Sequence, residues 1–308
     1  MAARDPGMAV CLEREALVDP SVAIASEWRL TNERGAYAAG TAAGANSRSS
    51  HGLLVAATES GPRVLVAKVD EELELDERDD GERIGLATNE YHDGTLHPTG
   101  HLHLEGWAWD GARVGWSWRA RGVGLEKTIA VAGCQNRTIV RYRLFESHFP
   151  LRLRLTPFLA DRAPDDHTHG ALERRWLLEP RPQGVVARSR ADAAPVGIFA
   201  WCGRAPSSRE PGRFVETGIW YWRFLHRADR AEGREHLEDL YAPGLLVFDL
   251  RPGEGVWLAL TAEAADLADP ERIDPEADLN AASRPPDIGA HGPSNGPAVP
   301  PRPSTVPA

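Results

Sequence analysis

Residues 27–56 read EWRLTNERGAYAAGTAAGANSRSSHGLLVA and hold the chain's densest set of groups able to grip a polar ligand. Asn32, Asn46, Arg48 and His51 are set among Gly35, Gly40, Gly44 and Gly52. Glycine at this density admits positive φ and close backbone approach. Amide, guanidinium and imidazole groups beside such turns can hydrogen-bond a polar ligand. The same residues also suit a plain chain of tight turns leading into a strand, and pattern alone leaves both readings open. Histidine supplies a second set: His97, His101 and His103 in HPTGHLH, and His167 and His169 in DDHTH. On a strand, H-x-H puts both imidazoles on one face, a spacing that metal sites use, and Glu105 falls on the face of His101 and His103. No carboxylate at an accepted spacing completes a known metal motif, so no metal and no other cofactor is expected. There is no P-loop, no G-x-S-x-G and no cysteine–histidine pair in a catalytic context.

The elements that must position these groups are strands. From residue 52 to 262 the hydrophobic pattern is mostly of period two. In LRLRL, Leu151, Leu153 and Leu155 face one side and Arg152 and Arg154 the other. Thr138, Val140, Tyr142 and Leu144 alternate in the same way with arginines at 137, 141 and 143. HLHLEGW (101–107) and VGWSWRA (114–120) alternate too, and the intervening WDGAR carries an Asp-Gly pair, a strong hairpin signal. Further strands are predicted at 63–69, 123–131, 172–178, 184–188, 196–201, 217–226, 244–250 and 255–261. Many antiparallel strands at short spacing predict an all-β, two-sheet sandwich. Residues 1–26 read as a leader with one helical turn near 13–18. Residues 263–308 contain 10 of the 24 prolines and no aromatic residue. They read as a disordered, proline-rich acidic tail after a short closing helix at 263–269.

Composition bounds the function. The formal charge is −10, and eight acidic against three basic residues from position 263 onward supply −5 of it. The rest of the chain is only mildly acidic, which argues against a nucleic-acid surface. No secretory signal and no run of 18 apolar residues is present, so no membrane span is expected. Three scattered cysteines without a C-x-x-C fit reduced thiols in the cytoplasm.

A long match gives these observations a family context. Glu27, Trp28, Thr31, Asn32, Gly35, Tyr37, Ala38, Gly40, Thr41, Gly44, Ala45, Asn46, Arg48, His51, Gly52, Leu53 and Leu54 follow the pattern EW-x-x-TN-G-x-GGYA-x-GT-x-x-GAN-T-RRYHGLL. This resembles the N-terminal domain of bacterial and archaeal glycogen debranching enzymes. Segments 86–107, 125–144, 152–162 and 238–250 resemble the same family, so that residues 27–262 form the domain. The family's GLGGYA stands here as ERGAYA, and its RRYHG as RSSHG, with Ser49 and Ser50. The resemblance implies a large supersandwich, and amylo-α-1,6-glucosidase action on α-glucan in glycogen catabolism. It places the catalytic carboxylates in a following (α/α)6 barrel, whereas here proline-rich sequence follows. The expectation is therefore a chain with no catalytic residue of its own. It would bind α-glucan, or dock against a separately encoded (α/α)6-barrel catalytic subunit.

The resemblance also selects residues. Asn46, Arg48, His51, Asn89 and His97 lie in family-like segments and are the expected glucan-binding or domain-docking contacts. Ten tryptophans include the pairs Trp107/Trp109, Trp116/Trp118 and Trp220/Trp222 at strand spacing. Their indoles either fill the core between two sheets or stack on glucose rings. The Trp107, Trp109, Trp116 and Trp118 ribbon is the best candidate for an exposed stacking platform. Glu90, Glu126, Glu238 and Asp239 are carboxylates in family-like segments. Glycoside hydrolysis needs two of these about 5–10 Å apart. A self-sufficient glycosidase or sugar epimerase is the alternative that would use them, and a pure interaction scaffold is the other. Asp70, Glu71, Glu72 and Glu74 read as a solvated charge run.

Overall fold

The computed structural model describes residues 10–75 and 81–282. Among the described residues, two large antiparallel sheets face each other. The ten-stranded sheet runs, in spatial order, Val10–Glu13, Leu104–Trp109, Val114–Ala120, Val123–Val131, Arg137–Glu146, Gly255–Thr261, Val196–Gly203, Gly184–Arg188 and Leu177–Arg181, with Glu210–Pro211 beside Val196–Gly203. The eight-stranded sheet runs Arg213–Leu225, Leu237–Leu250, Leu151–Arg162, Gly61–Glu74, Gly52–Thr58, Tyr37–Thr41 and Glu27–Thr31, with Arg83–Gly85 beside Gly61–Glu74. A small hairpin, Thr88–Glu90 with Leu96–Thr99, stands apart from both. The architecture is the expected all-β sandwich. No helix among the described residues is long and apolar enough to cross a membrane.

Period-two alternation explains three hydrophobic layers. Leu153, Leu155, Val140, Tyr142 and Leu258 point into the main core between the sheets. Their chain neighbours point outward into two satellite clusters. One covers the outer face of the eight-stranded sheet, with Tyr37, Ala67, Phe158, Phe224 and Leu240. The other covers the outer face of the ten-stranded sheet, with Ile139, Phe199, Trp201 and Ala259. The hairpin forecast from WDGAR is present: Trp107 stands opposite Trp116, and Asp110 Oδ1 accepts from the amides of Ala112 and Arg113 at 2.9 and 2.7 Å.

That register buries the expected tryptophan platform. Trp107, Trp116 and Trp118 are 2, 3 and 5% exposed, and Trp109 packs half-buried against the same core. Trp116 donates to the Ala42 carbonyl at 2.8 Å and meets Trp28 edge-on at 5.6 Å. Trp107, Trp116 and Trp118 fill the space between the sheets and are closed to a sugar, and Trp109 keeps only part of its ring exposed.

Three further expectations are corrected. The first concerns the segment after residue 262. Helices Ala264–Ala268 and Pro275–Ala281 lie on the ten-stranded sheet and contribute Leu267 and Leu279 to its outer cluster. Two of the prolines that suggested disorder, Pro270 and Pro275, sit at helix starts behind aspartate caps. Asp269 Oδ1 accepts from Glu271 N at 3.2 Å, and Asp274 Oδ1 from Ala277 N at 3.0 Å. Proline is pre-organised for that first position and needs no amide there. Buried Arg137 fixes the segment, reaching Asp266 Oδ2 at 2.6 Å and Asp278 Oδ2 at 2.8 Å. Residues 283–308, also expected to be disordered, lie outside the described residues, as do residues 1–9 of the leader. The remainder of the leader is structured, with strand Val10–Glu13 and helices Arg14–Leu17 and Pro20–Ala25.

The second correction concerns H-x-H. Residues Gly100–His103 form a 3-10 turn, so His101 and His103 do not share a strand face. A Cβ at Gly100 would lie 1.9 Å from the Leu86 carbonyl, and this close passage diverts the chain from a strand. Glu105 is held by Arg14 at 2.8 Å. The third concerns the acidic run. Glu71 and Glu74 are buried. Glu71 meets Lys127 Nζ at 2.5 Å and the Tyr142 hydroxyl at 2.8 Å, from the opposite sheet. Glu74 takes Arg152 and Arg154 at 3.0 and 3.1 Å along its own sheet.

Candidate binding site

The signature loop, residues 42–51, joins two neighbouring strands of the eight-stranded sheet. Gly44 turns at φ 84°, a conformation that L side chains avoid. The loop is then tied internally: Thr41 Oγ1 donates to the Ala45 carbonyl at 2.6 Å, and the Ser47 amide donates to His51 Nδ1 at 3.2 Å. The His51 proton therefore sits on Nε2, which faces Glu27 Oε1 at 3.9 Å. Glu27 also accepts from Ser47 Oγ at 2.7 Å and from Arg48 Nε at 2.8 Å. Arg48 extends its other arm to Glu232 at 2.7 Å. Asn46 donates to the Ala67 carbonyl at 3.1 Å. In this conformation Asn46, Arg48 and His51 tie their loop to the strands Gly61–Glu74 and Glu27–Thr31 and to the end of the helix Arg227–Ala231, whose Ala228 amide donates to the Ser47 carbonyl at 2.9 Å.

Beneath that helix lies a buried charge cluster that spacing did not forecast as a unit. Arg162 and Glu238 form a two-pronged pair, Arg162 Nε to Glu238 Oε1 and Arg162 Nη2 to Glu238 Oε2 at 2.7 Å. His226 Nε2 stands 3.4 Å from Glu238 Oε2, and His226 Nδ1 stands 3.4 Å from His167 Nε2. Asp229 accepts from the Ser49 amide at 2.6 Å, which joins the cluster to the signature loop. Glu238 and His167 were singled out from the sequence. Arg162, His226 and Asp229 were not, although Arg162 ends the family-like P-F-x-x-x-R segment.

Asn89 and His97 belong to a different place. The hairpin Thr88–Glu90 with Leu96–Thr99 lies over the outer face of the eight-stranded sheet and is fastened by ions. Glu90 is held by Arg227 at 2.7 and 2.8 Å. Lys68 meets Asp70 at 2.9 Å, the Thr88 carbonyl at 3.0 Å and the Asn89 side-chain carbonyl. Asn89 donates in turn to Asp70 at 2.6 Å. Between hairpin and sheet runs an open cleft of about 280 Å³, lined among others by Asp70, Asn89, Tyr91, His97, Arg154 and Tyr221. Phe158 packs edge-on against Tyr221 at 4.9 Å, and Phe224 stacks on Tyr91 at 5.3 Å. Burial pushes the Tyr91 phenol up to about 12 and moves Tyr221 the same way, so both hydroxyls keep their protons at neutral pH. Of the five expected contact residues, two line this cleft and three brace the neighbouring loop. The carboxylates of the enzymatic alternative are tied up: Glu90 by Arg227, and Glu126 by Arg143 at 2.6 Å.

The family model described as glycogen debranching enzyme N terminal matches residues 26–257, well over half of the chain. The chain belongs to this family. Among solved structures, this debranching-enzyme domain is similar to a bacterial glucoamylase complexed with acarbose. That similarity has 9% identity and a TM-score of 0.34, and covers 91% of this chain and 36% of the other. No curated protein matches the domain in sequence.

Loop burial gives the debranching-enzyme domain a pH-dependent stability. Burial pushes His51 from its ordinary 6.5 down to about 4, against the opposing pull of Glu27. Between those values the unfolded chain takes up a proton that the folded loop refuses. Stability is therefore full above about pH 6.5 and falls towards pH 4, by on the order of 3 kcal/mol from this residue. Burial moves His167 and His226 in the same direction. Urea unfolding at pH 7 and pH 5 should record the fall, and His51→Gln should flatten it by one proton. An equal slope in the variant contradicts the assignment.

Proposed function

We propose that this domain serves glycogen debranching as a non-catalytic α-glucan-binding unit of the cytoplasm, in glycogen catabolism. The observation that carries the reading is the cleft on the outer face of the eight-stranded sheet. It sets two protonated tyrosines beside an amide, an imidazole, a guanidinium and a carboxylate. A glucan offers alternating apolar ring faces and hydroxyl rims. Aromatic rings with a few convergent polar groups are the complementary surface. Membership of the debranching-enzyme family supports the choice of glucan among carbohydrates.

Affinity electrophoresis in gels containing glycogen tests the proposal. The wild-type chain should be retarded, and Tyr221→Ala, at a residue 37% exposed, should weaken retardation about tenfold without loss of folding. Unaltered wild-type migration at high glycogen concentration overturns the proposal.

A second reading, docking to an (α/α)6-barrel catalytic unit, has its own support. The edge strand Arg213–Leu225 leaves Ile219, Tyr221 and Trp222 exposed at 49, 37 and 39%. Apolar side chains grouped on an edge strand suit a protein partner. Copurification with a helical hydrolase, without glucan binding by the isolated chain, would favour docking over glucan recognition.

A further inference from the structure

We propose that His167, His226 and Asp229 form a site for a divalent transition-metal ion, best matched to zinc, that locks the signature loop to the sheet. The three residues come from separate elements: the loop after Leu151–Arg162, the end of strand Arg213–Leu225, and the helix Arg227–Ala231. One ligand atom from each lies within 4.8 Å of the other two, and all three residues are buried. His226 Nδ1 is 3.4 Å from His167 Nε2 and 3.9 Å from Asp229 Oδ2. A tetrahedral zinc ion with bonds of about 2.0–2.1 Å holds its ligand atoms roughly 3.3–3.4 Å apart. Small side-chain rotations would bring the trio to that spacing.

The far sides of the rings supply an independent argument. His226 Nε2 faces Glu238 Oε2 at 3.4 Å, and His167 Nδ1 faces Glu235 Oε2 at 3.7 Å. The buried carboxylate behind His226 favours a proton on Nε2 and an inward lone pair on Nδ1, the arrangement that orients metal-bound histidines. The inner nitrogens of both rings then converge with Asp229 Oδ2, which also accepts from the Ser49 amide, while Arg234 pairs with Asp229 Oδ1 at 2.6 Å. Either a proton shared between the rings or a cation can bridge the three atoms. The 3.4 Å separation is long for a hydrogen bond between nitrogens and matches two ligands of one ion. His167 Nδ1 is buried without a hydrogen-bond partner, so the ring is held through its inner nitrogen, Nε2. Exposed His169 and Glu235, 3.1 Å apart, mark the approach from solvent. Two imidazoles and one carboxylate suit zinc and leave one tetrahedral position for water. Asp229 transmits the constraint, because its Oδ2 also holds the Ser49 amide of the signature loop.

The full chain, stripped with chelator, should bind one equivalent of ZnCl₂ by isothermal titration calorimetry, with submicromolar affinity. CoCl₂ should give the intense visible bands of a four-coordinate site. Zinc should raise the melting temperature, and EDTA should reverse the rise. His167→Ala should weaken binding at least a hundredfold, whereas His169→Ala should bind as wild type. Should His167→Ala fail to fold, long-range ¹H–¹⁵N correlation on the wild type decides the matter. Zinc must then shift His167 Nε2 and His226 Nδ1. No binding by the folded wild type, equal binding by folded His167→Ala, or shifts confined to His169 and His236 would overturn the site.

Discussion

Glu238→Ala should cost the domain about 3–5 kcal/mol, the largest single loss expected for any polar residue of the buried cluster. Glu238 is wholly buried and its partner Arg162 nearly so. The alanine variant leaves a guanidinium inside the protein with the Ala163 carbonyl at 3.0 Å as its remaining acceptor. It also strips an acceptor from the Thr168 amide, now at 3.1 Å, and the carboxylate behind His226. An unpaired buried charge cannot recover its hydration, which is why breaking such a pair costs more than the pair is worth. Glu238→Gln keeps one acceptor oxygen and should lose less. Urea unfolding of both variants at pH 7 checks the order, and a loss below about 1 kcal/mol for the alanine variant contradicts it.

Glu71→Ala should lose a comparable amount, about 3–5 kcal/mol, for the same reason in a different layer. Glu71 bridges the two sheets, and its removal leaves Lys127 facing the Trp116 and Tyr142 rings at 5.2 and 5.8 Å. Cation–π attraction of about 1–2 kcal/mol offsets only part of the lost pairing. Replacing both charges with apolar residues of similar size, Glu71→Leu with Lys127→Met, should restore stability to within about 1–2 kcal/mol of wild type. The pair would then be a device that sets how the sheets face each other, with little net stabilisation. Equal instability of the single and double variants in urea would sink that reading. Lys68 and Lys127 are the chain's two lysines, and both are buried. In the fold, both lysines have specific partners, Lys68 at Asp70 and Asn89 and Lys127 at Glu71.

Strands were legible because one buried face imposes period two on a whole segment. Val123–Val131, Gly184–Arg188 and Gly255–Thr261 run between the expected limits. The acidic residues of Gly61–Glu74 misled because alternation tells which face a side chain takes, and says nothing of what lies opposite. Glu71 is neutralised from across the sandwich and Glu74 from the next strand. The closing helix expected at 263–269 is present as Ala264–Ala268, whereas the helix Pro275–Ala281 was hidden in the same way, since its anchor, Arg137, lies more than a hundred residues earlier. Asp-Pro pairs at 269–270 and 274–275 were the missed local signal. His167 and His226 are 59 residues apart and Arg162 and Glu238 are 76 apart. No local spacing rule reaches across such gaps. The signature loop was legible as a unit. Its role as a brace was not, because Arg48 and His51 find carboxylates on both sides, at Glu27 and Glu232.

The claim that the cleft recognises α-glucan is tested most directly by mapping amide and side-chain chemical shifts during titration with a linear maltooligosaccharide. The account predicts saturable shifts centred on Asn89, Tyr91, His97 and Tyr221, with the signature loop and the buried tryptophans unmoved. An absence of shifts at millimolar sugar, or shifts centred away from the cleft, would contradict it.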